Sequence, residues 1–256
     1  ASYGISSKNG IELALKNVNQ KGVLGGKKVE LVVADNKSEA SEALNAMQKL
    51  ISQDKVVAVI GPNLSSACIA SSAINNAGKV LAISPLGTNP DVTVDPKTGK
   101  TRDYNFRACF IDPFQGQVMA HFASNTLKVK NVAILMDSSS DYSKGLAQVF
   151  QATLEKAGGK IVTKEAFLSK DLDFKASLTK IKATNPEAVY VPGYYEEVSK
   201  IIKQSETEEN SNYKLPMIFS SGHGSIELYV LQAEKEIEKM ACRVLSIFNN
   251  IYKCLE

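Results

Sequence analysis

The chain has 256 residues, of which 44% are hydrophobic and 22% charged, with a formal net charge of +3. This is the composition of an ordinary globular chain long enough for two domains of average size. Basic side chains scatter through Lys8, Lys55, Lys128, Lys160 and Lys203 without a dense run, which gives no electrostatic case for nucleic acid, and no apolar run is long enough to span a bilayer.

The first predicted element is a helix over residues 6–20, with Ile11, Ala14, Leu15 and Val18 on one face. Gly22, Gly25 and Gly26 end it. Residues 29–34 form a near-continuous apolar run, the pattern of a strand buried in a parallel sheet. A helix follows over 40–53, with Leu44, Met47, Leu50 and Ile51 inward. A strand is expected at 56–60, a helix at 65–76 and a strand at 80–83. Residues 87–103 are rich in turns, and an extended run resumes at 106–110.

A helix over 114–128 restarts the alternation. Strands at 132–136, 161–167, 188–191 and 217–219 then alternate with helices at 144–157, 174–184 and 196–207. Strands alternating with helices of this length predict βαβ units and parallel sheets. The restart predicts two α/β lobes, 1–112 and 113–230, joined near residues 111–115. Residues 231–256 differ: Ile237, Met240, Val244, Phe248 and Ile251 mark one apolar helical face opposite a charged one. That face predicts a helix docked against the rest of the protein.

Four strand-to-helix turns share one design. They are Ile60-Gly61-Pro62-Asn63-Leu64-Ser65-Ser66, Ile83-Ser84-Pro85-Leu86-Gly87-Thr88, residues 137–145 with Tyr142, and Val191-Pro192-Gly193-Tyr194-Tyr195-Glu196. In open α/β sheets small ligands bind at these carboxyl ends. Four such turns predict a binding cleft rather than a catalytic centre.

Enzyme chemistry has little to stand on. Ser221-Gly222-His223-Gly224-Ser225 is not a GxSxG elbow, and the chain has only two histidines. The glycines at 22, 25 and 26 lack the GxGxxG order of a dinucleotide site. Cys68, Cys109, Cys242 and Cys254 have no CxxC spacing, so free thiols are expected and neither a metal nor a cofactor is. No signal peptide is present, which is expected if an export signal was removed or if the chain is a fragment.

The order of several short motifs resembles the type I periplasmic binding proteins, in their branched-chain amino-acid (Leu/Ile/Val) ABC transporter branch. Carrying the resemblance are Gly10-Ile11-Glu12-Leu13-Ala14, Gly25-Gly26-Lys27-Lys28-Val29-Glu30-Leu31, and Val57-Ala58-Val59-Ile60-Gly61-Pro62 with Ser65. Phe106-Arg107 with Asp112, Asp141-Tyr142-Ser143-Lys144-Gly145, Asp173-Phe174 and Gly193-Tyr194-Tyr195 complete it. Each motif alone is weak, and their order and spacing are specific.

The resemblance implies an α/β fold of two Rossmann-like lobes with parallel sheets and a ligand in the interlobe cleft. It implies an extracytoplasmic solute-binding component of an ABC transporter, periplasmic or extracellular, with any lipid anchor outside this chain. The ligand would be a branched-chain or related small amino acid, or a related carboxylate or amide, delivered to a membrane permease. Ser65 resembles the serine that holds the ligand carboxylate. Leu86 and Thr88 match positions offering a carbonyl and a hydroxyl, and Tyr142 and Tyr194 match the aromatic residues of the second lobe. His223 falls where a carboxylate is expected to hold the ligand ammonium.

The resemblance also implies a strand ahead of the first helix, lying between residues 29–34 and 56–60. The chain shows none, so the first lobe is expected to be incomplete, with those two strands either paired directly or separated by a gap. Plainer roles remain open beside the functional ones: Ser65 as an N-cap, Thr88 as a turn residue, the tyrosines as half-buried aromatics, His223 as a loop residue. A ligand-sensing module of a regulator or receptor, or a non-binding remnant, are the alternative functions.

Overall fold

The computed structural model describes residues 2–22, 24–205 and 217–220. The expected helix at 231–256 and His223 lie outside them. The chain divides into two units, Ala1–Ile111 and Asp112–Glu256, described here one at a time.

The first unit opens with α1 (Ser2–Lys21). Ile11, Leu15 and Val18 are half-buried, as are Tyr3, Ser7 and Asn19, while Ala14 is exposed. Gly22, Gly25 and Gly26 turn the chain at positive φ, where a side chain would be strained. Asn19 then holds Val29 like a ladder partner: its amide nitrogen donates to the Val29 carbonyl at 2.9 Å, and its oxygen accepts from the Val29 N–H at 2.8 Å.

The strand expected at 29–34 does not form. These residues have no ladder partner among the described residues. Val29, Leu31, Val32 and Val33 are 38–59% exposed. Of the two outcomes expected here, direct pairing and a gap, the structure shows no pairing. Apolar patterning alone cannot make a strand, because a strand exists only where a neighbour takes its N–H and C=O groups.

Helix α2 (Ala40–Ser52) buries Ala43, Met47 and Leu50, a stripe at i, i+4 and i+7. Leu44, expected inward, is 37% exposed; it lies one position round the helix from that stripe. Strand β1 (Ala58–Ile60) is shorter than expected because the Val56 N–H is spent on the Leu50 carbonyl at the end of α2. Helix α3 (Ser65–Gly78) closes against α2, where a Cβ on Gly78 would lie 2.8 Å from Ile51 Cγ2. Strands β2 (Leu81–Ser84) and β3 (Asn105–Arg107) complete a parallel sheet of order β1-β2-β3.

The second unit begins with α4 (Asp112–His121), which runs into a π-helical turn, Phe122–Thr126. Its parallel sheet has the order β5-β4-β6-β7. The strands are β4 (Asn131–Asp137), β5 (Lys160–Phe167), β6 (Ala188–Pro192) and β7 (Met217–Ser220). Helices α5 (Asp141–Lys156), α6 (Lys175–Ala183) and α7 (Tyr195–Ser205) connect them.

Strand alternation divides the core of this unit. Val132 and Ile134 of β4 pack on one face with Phe150 and Leu154 of α5 and Met119 of α4. Ala133 and Leu135 pack on the other with Leu178 and Ile181 of α6 and Ile201 of α7. Helices on both faces make a doubly wound sheet. Because β5 lies on one side of β4 and β6 on the other, the strand order reverses between β4 and β6, the place where such sheets open a ligand crevice.

Hydrogen exchange checks the contrast between the two units. Amides of residues 30–34 should exchange close to the unprotected rate, and those of β4 several orders of magnitude more slowly. Equal protection would mean that residues 29–34 have found a ladder partner.

Candidate functional site

In the first unit the turns after β1 and β2 meet around Pro62 and Ser84. The buried Ser84 hydroxyl donates to the Pro62 carbonyl at 2.6 Å and accepts from the Gly87 N–H at 2.9 Å. The Cys68 thiol reaches the Pro62 carbonyl at 3.1 Å and the Ser84 oxygen at 3.3 Å. Burial pushes the Cys68 thiol up to about 12, partly countered by its bond to Ser84. Gly87 admits nothing larger, since a Cβ there would lie 2.7 Å from Ser84 Oγ.

Ser65 is the first residue of α3, and the N-cap position is Leu64, which makes no side-chain cap. Ser65 therefore does not cap its helix. Its buried hydroxyl accepts the Asn89 N–H at 3.2 Å and ties α3 to the loop after β2. Leu64 brings no capping side chain to the start of α3, and a helix start is electropositive. By contrast, α5 is capped by Ser140, whose hydroxyl accepts the Ser143 N–H.

Thr88 stands beside this tie. It is 1% exposed, and its hydroxyl has no hydrogen-bond partner among the described residues. Leu86 is half-buried on the same loop. The loop itself is held by Arg107, a residue that sequence reasoning assigned to the motif order but to no role. Its guanidinium donates to the carbonyls of Gly87 (3.0 Å), Asn89 (2.8 Å) and Pro90 (3.0 Å) and to the Thr93 hydroxyl (2.7 Å). The pairing spans 14 to 20 residues, so no local pattern in the sequence signals it. A concavity of about 400 Å³ opens beside β3, lined by Thr93, Thr101, Arg102, Asp103, Asn105, Phe106 and Arg107. Of the sequence motifs it is lined by Phe106 and Arg107, and Ser65, Leu86, Thr88, Tyr142 and Tyr194 are not among its lining residues.

In the second unit the structure brings Tyr142 and Tyr194 together. Their rings stack with centroids 5.2 Å apart and planes 17° from parallel. Tyr142 is 1% exposed, and its hydroxyl donates to Gln115 Oε1 at 3.4 Å. Burial holds its ionisation well above the ordinary tyrosine range, so the hydroxyl stays neutral. Tyr194 is half-buried. The pair is thus asymmetric: one ring is enclosed, and the other has surface to offer.

Among the described residues no cluster of three or more His, Cys, Asp or Glu side chains is placed to hold a metal ion, and no helix is long and apolar enough to cross a membrane. The profile of a family described as periplasmic binding protein matches residues 1–229. The chain belongs to the periplasmic binding protein family. An amino acid binding protein of Pseudomonas aeruginosa is 36% identical over 204 residues, 80% of this chain and 53% of its own length. The Leu/Ile/Val-binding protein BraC3 of Rhizobium johnstonii is 36% identical over the same share of this chain and 54% of its own. Among solved structures, the branched-chain amino acid transporter substrate-binding protein LivJ of Streptococcus pneumoniae, in complex with isoleucine, is 37% identical. It superposes with a TM-score of 0.74 over 86% of this chain and 60% of its own. The chain spans about half the length of the curated relatives it matches.

Two measurements check this description. Arg107→Ala should cost on the order of 3 kcal/mol in urea unfolding, because it removes at once the charged hydrogen bonds to the Gly87, Asn89 and Pro90 carbonyls and to the Thr93 hydroxyl. Cys68 should resist iodoacetamide at pH 8 in the folded chain and react readily in urea, as read by peptide mapping. Its raised ionisation has a definite sign for stability. Between pH 9 and about 12 the unfolded thiol loses its proton while the folded thiol keeps it, so this group makes stability fall as pH rises.

Proposed function

We propose that this chain is the ligand-binding part of an extracytoplasmic solute-binding component of an ABC transporter, and that it takes a branched-chain or related small amino acid. Its place would be the periplasm or cell exterior, and its partner a membrane permease. Its relatives bind amino acids by name and are not enzymes by name.

The observation that carries the reading is the Thr88 hydroxyl, buried and without a partner beside Ser65. A buried hydroxyl left unbonded destabilises a protein unless something pairs with it. A ligand carboxylate would take the Thr88 hydroxyl and the hydroxyl proton of Ser65 together, at the electropositive start of α3. Leu86 would offer a carbonyl, as the family resemblance implies. Tyr194, backed by Tyr142, would supply an aromatic surface for an aliphatic side chain.

Calorimetry with leucine, isoleucine and valine tests this. Thr88→Val should leave thermal stability unchanged or raise it, because the unpaired hydroxyl is gone. It should weaken binding about 10- to 100-fold through loss of a hydrogen bond to a charged group. Affinity that is indifferent to both Thr88→Val and Ser65→Ala would remove this site. No binding of any of the three amino acids would overturn the ligand class.

A further inference from the structure

The two halves of the second sheet come apart at the strand-order reversal. Strands β4 and β5 stay paired to their ends, through Asp137 and Phe167. Strands β6 and β7 stay paired through Pro192 and Ser220. Between β4 and β6 the pairing runs only from Val132↔Ala188 to Ile134↔Tyr190 and then stops. The sheet is therefore split at its carboxyl end along one line only.

Ser143 fills the split. It is fully buried. Its hydroxyl accepts the Asp137 N–H at 2.9 Å and donates to the Pro192 carbonyl at 2.5 Å. Continuing the register of the paired residues sets Asp137 beside Gly193, where a parallel ladder would aim the Asp137 N–H at the Pro192 carbonyl. The hydroxyl thus stands in the place of one ladder bond, with one side-chain oxygen inserted between donor and acceptor. It keeps the strands one hydroxyl wider than a sheet would and leaves neither backbone group unsatisfied.

The stacked tyrosines stand on either side of this bridge. Tyr142 precedes Ser143 in the chain, and Tyr194 follows Pro192 by two residues. We infer that Ser143 is a positioning residue: its hydroxyl sets the spacing between the β4 and β6 turns, and so holds the Tyr142–Tyr194 stack that the ligand would meet. The stack is a feature of the fold itself; its part in binding rests on the function proposed above.

Ser143→Ala removes the bridge and adds no bulk. Tetranitromethane modification of Tyr142, mapped by mass spectrometry, reads the stack without any ligand. In the unsubstituted chain Tyr142 should be protected. In Ser143→Ala its nitration should speed up by about tenfold or more, the equivalent of one buried hydrogen bond. Leu154→Ala, in the core of the same unit and away from the bridge, controls for general loss of stability and should leave Tyr142 protected. Unchanged protection in Ser143→Ala, or equal loss of it in Leu154→Ala, overturns the inference. Calorimetry with isoleucine gives the second arm: Ser143→Ala should bind about tenfold or more weakly, with Leu154→Ala close to the unsubstituted chain well below its melting temperature. If the unsubstituted chain binds no amino acid, the proposed function fails while the nitration arm still decides the positioning role.

Discussion

A parallel sheet ends with backbone groups that the ladder no longer pairs, and inside a protein each of them needs a partner. At the carboxyl ends of this chain's strands that demand is met by a few side chains, some near in sequence and some distant. In the first unit Ser84 and Cys68 take the Pro62 carbonyl, and Arg107 takes three carbonyls of the loop after β2. In the second unit Ser143 takes the Asp137 N–H and the Pro192 carbonyl. The turns carrying Thr88, Tyr142 and Tyr194 are held where they are by these bonds.

Within each unit the candidate residues divide into those the bracing engages and those it leaves available. Ser65 uses its hydroxyl oxygen on Asn89 and keeps its proton. Thr88 is enclosed without a partner among the described residues. Tyr142 spends its ring on Tyr194 and its hydroxyl on Gln115. Ser84 and Thr88 share one turn, and Tyr142 and Ser143 are adjacent in α5, so a change in a bracing residue reaches its neighbour.

The two units meet the same demand with different completeness. In the second, both faces of the sheet are covered by helices, and the strands of β4 and β6 are wholly buried apart from Asn131 and the half-buried Met136. In the first, residues 29–34 carry an apolar strand pattern without a ladder, and Val57 just before β1 and Ile60 at its end are exposed. The family match covers both units, while the chain spans about half of its curated relatives' length. The pairing of a strand depends on which other segments are present, and a local pattern carries no information about that.

Much of the architecture was legible in the residues themselves. Apolar periodicity placed α2, α5, α6 and β4 to β7 within a few residues, because burial of one face is written directly into spacing. The motif order reached the family, and the turn chemistry picked out Ser65, Thr88, Tyr142 and Tyr194 as residues at strand ends. The tertiary structure alone decided the rest. It withheld the ladder from residues 29–34, enclosed Tyr142 while leaving Tyr194 half-buried, and turned Ser65 from helix cap to loop tie. It also gave Arg107 and Ser143 their bracing roles. Each of these depends on a bond between residues many positions apart, and local sequence does not say which unpaired backbone group a distant side chain will reach.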